Sequence, residues 1–209
     1  MRNSQSLIVL TAITLLLLGC GRQQSSTPLL TTPPSTAVDN DIYVADERAR
    51  IRAFRPDGSE QWSVSLPDEI TSRDSTVSRD IRIDMLAARS AGKLFGLATQ
   101  LSGSRTGSTI LFALDANHLL WHVEAAYPQQ NGAALAVGSD AVYEAAQDGV
   151  LYAFSRLNGK QIWKYQVSQG PLGSPTVSVD GTIYVTGPNY NLHAITPDGK
   201  QRWVRGTQS

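Results

Sequence analysis

Residues 180–203 read DGTIYVTGPNYNLHAITPDGKQRW, two apolar segments bordered by polar turns and closed by a tryptophan. Side chains alternate along residues 182–186, which favours a β-strand. One Asp-Gly pair, 180–181, lies before the first apolar segment, and another, 198–199, lies between the second segment and the tryptophan. Asp-Gly between alternating apolar segments is a strong signal for a β-hairpin. Beyond the first twenty residues the chain has no long 3.6-residue periodicity. The stretch therefore predicts a small antiparallel sheet.

The same pattern occurs four times along the chain. Its clearest markers are four tryptophans, Trp62, Trp121, Trp163 and Trp203, which lie 59, 42 and 40 residues apart. Each tryptophan closes a segment that starts with an alanine: Ala53, Ala113, Ala153 and Ala194. Each alanine follows an aromatic residue: Tyr43, Phe95, Tyr143 and Tyr184. We expect these aromatic residues to anchor a structural repeat.

The spacing within the repeat predicts two insertions. The aromatic residue and the alanine are 10 residues apart in units one, three and four and 18 apart in unit two, where residues 99–108 form a Gly- and Ser-rich hairpin tip. Between units one and two, the extra residues fall in the polar segment 68–80, which we expect to be a loop. Residues 81–88 alternate at first and predict a further strand.

A period of about 40 residues with several short strands per unit is typical of a β-propeller. One such unit cannot cover both faces of its own sheet, so neighbouring units pack face to face and the tryptophans are expected between them. The predicted fold is all-β, a propeller of about four blades over residues 35–209. The sequence leaves three arrangements open, namely a closed ring, an open arc, and a ring shared with a second copy. An open arc exposes two blade faces and is expected to self-associate.

The repeat resembles that of pyrroloquinoline-quinone-like propellers. The resemblance rests on unit four, with Ser174-Pro175-Thr176-Val177 and Asn191-Leu192-His193-Ala194-Ile195, and on Asn158-Gly159-Lys160-Gln161-Ile162-Trp163 of unit three. Unit two departs from the pattern, because Asn117-His118 stands where the turn glycine is expected. The family has two broad classes. One consists of quinone-dependent dehydrogenases, and the other of non-enzymatic propellers that include the lipoprotein subunit of the outer-membrane β-barrel assembly machinery.

The residues argue against the enzymatic class. Many alcohol dehydrogenases of this family place an adjacent Cys-Cys pair against the quinone, whereas this chain has one cysteine, Cys20. No Gly-x-Ser-x-Gly nucleophile motif, P-loop or dinucleotide motif occurs in the sequence. His118 and His122 could share a strand face as metal ligands, but a turn position for the first and a place beside Trp121 for the second favour structural roles. His193 is expected to be structural as well. We therefore expect no catalytic residue, metal site or cofactor.

The N-terminus is expected to be a lipoprotein signal. Arg2 precedes the uncharged apolar segment 7–18, which is too short to cross about 30 Å of hydrocarbon and has the length of a signal-peptide core. Leu17-Leu18-Gly19-Cys20 resembles the bacterial lipobox, although Leu18 replaces the usual small residue. The resemblance implies cleavage before Cys20, acylation of Cys20 and, because Gly21 is not aspartate, sorting to the outer membrane. The alternatives are a cleaved secretory signal with an unrelated cysteine and a short membrane anchor.

Three segments follow from these features. Residues 1–19 are expected to be the signal peptide, residues 20–34 a flexible tether that carries the lipidated Cys20, and residues 35–209 the blades. The tether is rich in Pro, Ser and Thr, so it cannot bury enough apolar surface to offset the entropy lost on ordering.

The charge distribution offers one candidate partner surface. Lysine plus arginine and aspartate plus glutamate both number 18, and without a basic excess nucleic acid is not expected as a partner. Arg48, Arg50 and Arg52 alternate and would line one face of a strand. They either contact an acidic partner or protect an exposed sheet edge by their charge. Acidic residues lie nearby and partly neutralise this surface: Asp46, Glu47, Asp57 and Glu60.

These features predict a lipid-anchored, periplasm-facing protein of the outer membrane that binds other envelope proteins as a scaffold. Outer-membrane protein assembly is the role that the family resemblance implies. The alternative is a ligand- or glycan-binding surface lipoprotein, and a quinone-dependent dehydrogenase is a third hypothesis. The expected partners are envelope proteins, the membrane through the lipid anchor, and a second copy of the chain.

Overall fold

The computed structural model divides the chain into two units, Met1–Thr31 and Thr32–Ser209. It describes residues 35–38, 41–73, 80–90, 93–102, 105–125, 134–188 and 190–206, all in the second unit. The predicted signal peptide, Cys20 and the tether lie outside the described residues. No helix within these ranges is long and apolar enough to cross a membrane.

Within the described ranges, four antiparallel sheets of four strands follow one another, and the strands of each sheet lie in chain order. We call these sheets blades one to four. Blade one contains β1 (Ser35–Val38), β2 (Asp41–Ala45), β3 (Arg50–Phe54) and β4 (Glu60–Ser65). Blade two contains β5 (Ile81–Ser90), β6 (Lys93–Ser102), β7 (Arg105–Asp115) and β8 (His118–Glu124). Blade three contains β9 (Ala134–Val137), β10 (Ala141–Ala145), β11 (Val150–Ser155) and β12 (Gln161–Gln166). Blade four contains β13 (Thr176–Val177), β14 (Ile183–Thr186), β15 (Asn191–Ile195) and β16 (Gln201–Gly206).

Asx-Gly pairs form tight turns between the strands. Asp57 accepts hydrogen bonds from the N–H of Ser59 at 2.9 Å and from its hydroxyl at 2.7 Å, which closes the turn locally. Gly58 lies between them with φ +83°, a left-handed conformation that costs a residue with a Cβ about 1–2 kcal/mol. In blade two, where the sequence lacks a turn glycine, Ala116 adopts the left-handed conformation with φ +49°.

Three clusters of buried apolar side chains join successive blades. The first contains Tyr43 of blade one and Phe112 of blade two, and the second contains Phe95 of blade two and Tyr152 of blade three. The third contains residues of blades three and four. The first strands of successive blades also lie side by side, β1 beside β5, β5 beside β9 and β9 beside β13. Among the described strands, no contact of similar extent joins β13 to β1. The predicted all-β, propeller-like fold is confirmed.

Among the residues that the structure describes, one helix interrupts the series of strands, α1 (Leu66–Arg73). The expectation that residues 68–80 form a loop is therefore wrong for the first part of that segment. Leu66 and Ile70, four residues apart and fully buried, place one side of the helix in the first cluster. Acidic residues in its first turn and an arginine in its last turn complement the helix dipole. Two apolar positions in so short a helix give no detectable periodicity, which is why the segment resembles a loop in sequence.

The other insertion lies where the sequence predicts it. β6 and β7 form a long hairpin in which Leu101 pairs with Thr106 and Ser102 with Arg105. The extra residues of unit two therefore lengthen these two strands towards their tip. The further strand predicted at 81–88 is β5.

Candidate interaction surface

In every blade an alanine separates two aromatic residues on neighbouring strands. In blade three, Ala153 on β11 pairs with Tyr143 on β10 and with Trp163 on β12. Ala153 is fully buried, and the ring centroids of Tyr143 and Trp163 lie 5.7 Å apart. The small methyl group leaves room for the two rings to meet at a separation typical of favourable aromatic pairs. The equivalent pairs are Tyr43–Trp62 at 5.8 Å, Phe95–Trp121 at 6.1 Å and Tyr184–Trp203 at 5.8 Å.

A β-bulge lies directly before each tryptophan. In blade three, Ala153 pairs with Trp163 whereas Phe154 pairs with Gln161, so Ile162 is the extra residue. The other blades have the same register shift after their alanines. A bulge bends its strand and changes the direction of the neighbouring side chains. The alanine and the bulge together set the direction in which the indole points.

The tryptophan of blade three contacts a turn of blade four. Trp163 Nε1–H donates a hydrogen bond of 2.9 Å to the carbonyl oxygen of Pro197. Gly199 of the same turn lies against the indole, because a Cβ built on it would lie 2.7 Å from Trp163 Cδ2. Real Cβ atoms do not approach other atoms so closely, so any larger residue at this turn position would require the indole or the turn to move. We call this arrangement the indole–turn contact.

Blades two and three are joined by a second indole–turn contact. Trp121 Nε1–H donates to the carbonyl oxygen of Arg156 at 3.0 Å, and a Cβ on Gly159 would lie 2.6 Å from Trp121 Cε3. The guanidinium of Arg156 lies 5.3 Å from the ring centroid of Phe95 and donates to the carbonyl oxygen of Ser139 at 2.6 Å. A cation over an aromatic ring is attractive, so Arg156 adds to the same junction.

The junction between blades one and two is built on α1. Glu69 accepts a hydrogen bond from the N–H of Leu119 at 3.4 Å. Arg73 donates to the carbonyl oxygens of Leu119 and Leu120, the second at 3.2 Å. Leu119 and Leu120 lie next to the β7–β8 turn, which lacks a glycine. Trp62 is partly buried and packs against the first cluster. Sequence reasoning missed these contacts, because charged residues in a segment without periodicity look like a solvated loop.

The three arginines of the candidate partner surface are exposed, whereas the residues between them, Ala49 and Ile51, are fully buried. Arg50 and Arg52 lie on β3, and Arg48 lies in the turn before it. β3 pairs with β2 on one side and with β4 on the other, so it is not an edge strand. The interpretation that these arginines protect a sheet edge is therefore wrong, and contact with an acidic partner stays a prediction.

Arg52 has a distinct place in the repeat. It pairs with Val44, and the residues at the same register position in the other blades are Phe112, Tyr152 and His193. Phe112 and Tyr152 are buried in the clusters that join each blade to the preceding one. Blade one therefore exposes a cation where blades two and three bury an aromatic ring.

Charged groups at the turns of blade four form local pairs. Lys200 Nζ lies 2.8 Å from the carboxylate of Asp198, and this hydrogen bond is the main cause that lowers the pKa of Asp198 to about 2. Arg202 lies 3.0 Å from Asp180, whose pKa is lowered chiefly by the hydroxyl of Ser178. These pairs are exposed, so they contribute little to stability.

The histidines do not form a metal site in the described part of the chain, which contains no group of three or more His, Cys, Asp or Glu side chains able to hold an ion. His193 is buried between its register partners Val185 and Val204, and neither ring nitrogen has a hydrogen-bond partner among the described residues. Burial lowers the pKa of His193. His118 is exposed at the start of β8 rather than in the turn, and His122 is half-buried.

The sequence matches a family model described as outer membrane protein assembly factor BamB over residues 47–209. Among curated proteins, none matches the chain significantly.

Several solved structures share the fold. The crystal structure of BamB from Moraxella catarrhalis is 18% identical, with a TM-score of 0.59, over 84% of this chain and 48% of that one. The computationally designed Ika8 protein is 16% identical, with a TM-score of 0.58, over 84% and 49% of the two chains. A protein from Bacteroides caccae is 9% identical, with a TM-score of 0.57, over 84% and 60%. The match thus spans about half of the BamB and Ika8 chains and somewhat more of the third.

Proposed function

The chain belongs to the family of outer membrane protein assembly factor BamB, and from that membership we propose that it is a non-catalytic, protein-binding scaffold in outer-membrane protein assembly. The observation that carries the proposal is the family match, which extends from the β2–β3 turn of blade one through blade four. The large aromatic side chains of the blades are largely occupied in packing within and between the sheets. Exposed turns, charged strand faces and a few exposed apolar residues such as Ile42 and Trp203 remain for a partner.

We propose that Arg48, Arg50 and Arg52 form the contact with an acidic segment of an envelope protein. Their exposure on blade one supports this role, and so does the place of β3 inside its sheet, where no edge needs protection. Electrostatic complementarity of this kind accelerates association and selects partners. We propose separately that copies of the chain associate with one another.

Affinity purification of the full chain from bacterial envelopes tests the scaffold role. We expect outer-membrane assembly components to be recovered with the chain, and their amount to fall several-fold when Arg48→Glu, Arg50→Glu and Arg52→Glu are combined. Lys164→Glu is the control, because it reverses an exposed charge on β12 of blade three. Failure to recover assembly components with the unaltered chain would contradict the assembly role. Equal recovery with the triple variant would contradict only the arginine surface.

We further propose that Cys20 is acylated after removal of residues 1–19, and that residues 20–34 tether the blades to the periplasmic face of the outer membrane. Several acyl chains, each contributing about 0.8 kcal/mol per buried methylene, would make the attachment nearly permanent. Cys20→Ser should move the protein from the membrane fraction to the soluble fraction, whereas Ser25→Ala in the tether should leave it on the membrane. Membrane retention of the Cys20→Ser variant would contradict lipid anchoring.

A further inference from the structure

Blade four carries an indole that has no following blade among the described residues. Trp203 has the same relation to Tyr184 and Ala194 as the other tryptophans have to their own pairs, with ring centroids 5.8 Å from Tyr184. Trp121, which makes an indole–turn contact, is 8% exposed, whereas Trp203 is 37% exposed. Blade four therefore presents the tryptophan of an indole–turn contact, and no turn among the described residues packs against it.

Blade one carries the matching turn. Pro56-Asp57-Gly58 repeats the tripeptide Pro197-Asp198-Gly199 that receives Trp163, and Gly58 and Gly199 have φ values of +83° and +82°. The backbone bonds agree as well. Gly58 N–H donates to the carbonyl oxygen of Arg55 at 2.9 Å, and Gly199 N–H donates to that of Thr196 at 2.9 Å. A Cβ on Gly58, however, would meet nothing within 4 Å, whereas one on Gly199 would meet the indole. The turn of blade one therefore has the conformation of the turn in blade four, but no indole packs on Gly58 as Trp163 packs on Gly199.

The sheet face beside this turn is also incompletely covered. Ile42 pairs with Phe54 in blade one, as Val142 pairs with Phe154 in blade three. Val142 and Phe154 are 0% and 3% exposed because blade two lies against them, whereas Ile42 is 39% exposed. Blade one thus exposes the face that every later blade buries against its predecessor, with Arg52 at the position where blades two and three bury a ring.

We propose that two copies of the chain associate head to tail, with Trp203 of one copy packed on Gly58 of the other and its indole N–H donated to the carbonyl oxygen of Pro56. The contact would repeat the two indole–turn contacts found within the chain. It deepens the self-association included in the proposed function and rests on that part alone. The two surfaces differ, so the contact is heterologous, and two copies close into a ring if both ends are satisfied.

Sedimentation of the full chain, purified in detergent, tests this association. We expect a concentration-dependent dimer, and Trp203→Ser should raise its dissociation constant by about tenfold or more, as for a central interface tryptophan. Trp203→Phe keeps a ring over Tyr184 and removes only the N–H donor, so it should weaken the dimer less. Leu157→Ser, at an 85% exposed apolar residue of blade three, is the matched control and should leave the dimer intact.

Mixing two variants distinguishes head-to-tail contact from a loss of folding. Gly58→Ala places a methyl group where the indole would lie, so it should weaken the dimer as Trp203→Ser does. An equimolar mixture retains one complete contact, between Trp203 of the Gly58→Ala chain and the turn of the Trp203→Ser chain. We therefore expect the mixture to dimerise more than either variant alone. A monomeric unaltered chain at all concentrations, or a mixture no more associated than its components, would overturn the proposal. Neither result depends on assembly components, so failure of this proposal and failure of the scaffold role are distinguishable. Because Arg52 lies on the Ile42 face of blade one, a second copy and an acidic envelope segment would compete for that face.

Discussion

Trp163 lies against Gly199 of the following blade so closely that no side chain fits between them. The contact depends on a small residue in each of two places. Ala153 lets the indole lie beside Tyr143 within its own sheet, and Gly199 lets the same indole reach the next sheet. Because one tryptophan serves the packing within a blade and the junction between blades, a substitution at either small residue should weaken both. This coupling accounts for the repetition of aromatic residue, alanine, tryptophan and turn along the sequence.

Gly199→Ala should destabilise the chain more than Gly58→Ala. Both glycines have left-handed φ values, so each substitution costs about 1–2 kcal/mol of backbone strain. Only the new methyl group at position 199 would collide with an indole, which adds about 1–3 kcal/mol of overpacking. The measurement is the free energy of unfolding in urea at a concentration low enough to keep the chain monomeric. Equal losses for the two variants would mean that the indole does not press on Gly199.

Ala153→Leu should cost about 1–3 kcal/mol of the free energy of unfolding, because the larger side chain must enter the space where the rings of Tyr143 and Trp163 meet. The near-ultraviolet circular dichroism of the aromatic residues should change with it. Lys164→Leu also adds a leucine to blade three, but at an exposed position on β12, and should have little effect on stability. A fully stable Ala153→Leu variant with an unchanged spectrum would contradict the close aromatic pair.

The repeat could be predicted from sequence because its markers are rare residues at fixed spacing. Tryptophan, alanine and Asx-Gly each have one physical role in the blade, and the strands between them alternate. The direction of the indole towards the next blade could not be predicted, since it depends on a bulge that leaves the residue spacing unchanged. Ile162 is an ordinary strand residue in sequence, and only its missing register partner identifies it as the extra residue.

The first junction could not be predicted for a different reason. α1 is stabilised by two buried side chains, Leu66 and Ile70, and by polar contacts to β8 that join residues 47 and 50 positions apart. Such contacts leave no local pattern in the sequence. The edge-protection interpretation of Arg50 and Arg52 failed similarly, because the position of β3 inside its sheet is a property of strand order.

Arg73→Met should lower the free energy of unfolding by about 1 kcal/mol, since the variant keeps the aliphatic stem and loses the hydrogen bonds to the carbonyl oxygens of Leu119 and Leu120. Hydrogen exchange of the β8 amides should accelerate with it, because α1 then holds blade two less firmly. Arg82→Met removes an arginine that bonds to Asp84 within its own blade, and it should leave β8 exchange unchanged. If β8 exchange were unaltered in the Arg73→Met variant, the hydrogen bonds of Arg73 would not stabilise the junction between blades one and two.

The buried His193 should make the stability of the chain depend on pH in the weakly acidic range. Burial between Val185 and Val204 lowers its pKa below the ordinary value of 6.5, so the unfolded chain binds a proton more readily than the folded one. Stability contributed by the neutral ring is therefore complete above the unfolded pKa and falls as the pH decreases through about 6.5 towards the lower, folded value. Urea unfolding of the unaltered chain between pH 7.5 and 5 should show this loss. His193→Leu should reduce the slope of the free energy of unfolding against pH. Leu157→Ser, at an exposed side chain that does not titrate, should retain the full slope. The pKa of the exposed Asp198 is about 2, so its titration lies below this window and does not separate the variants. If His193→Leu and the unaltered chain lost stability in parallel over that range, burial would not lower the pKa of His193, which would contradict the prediction.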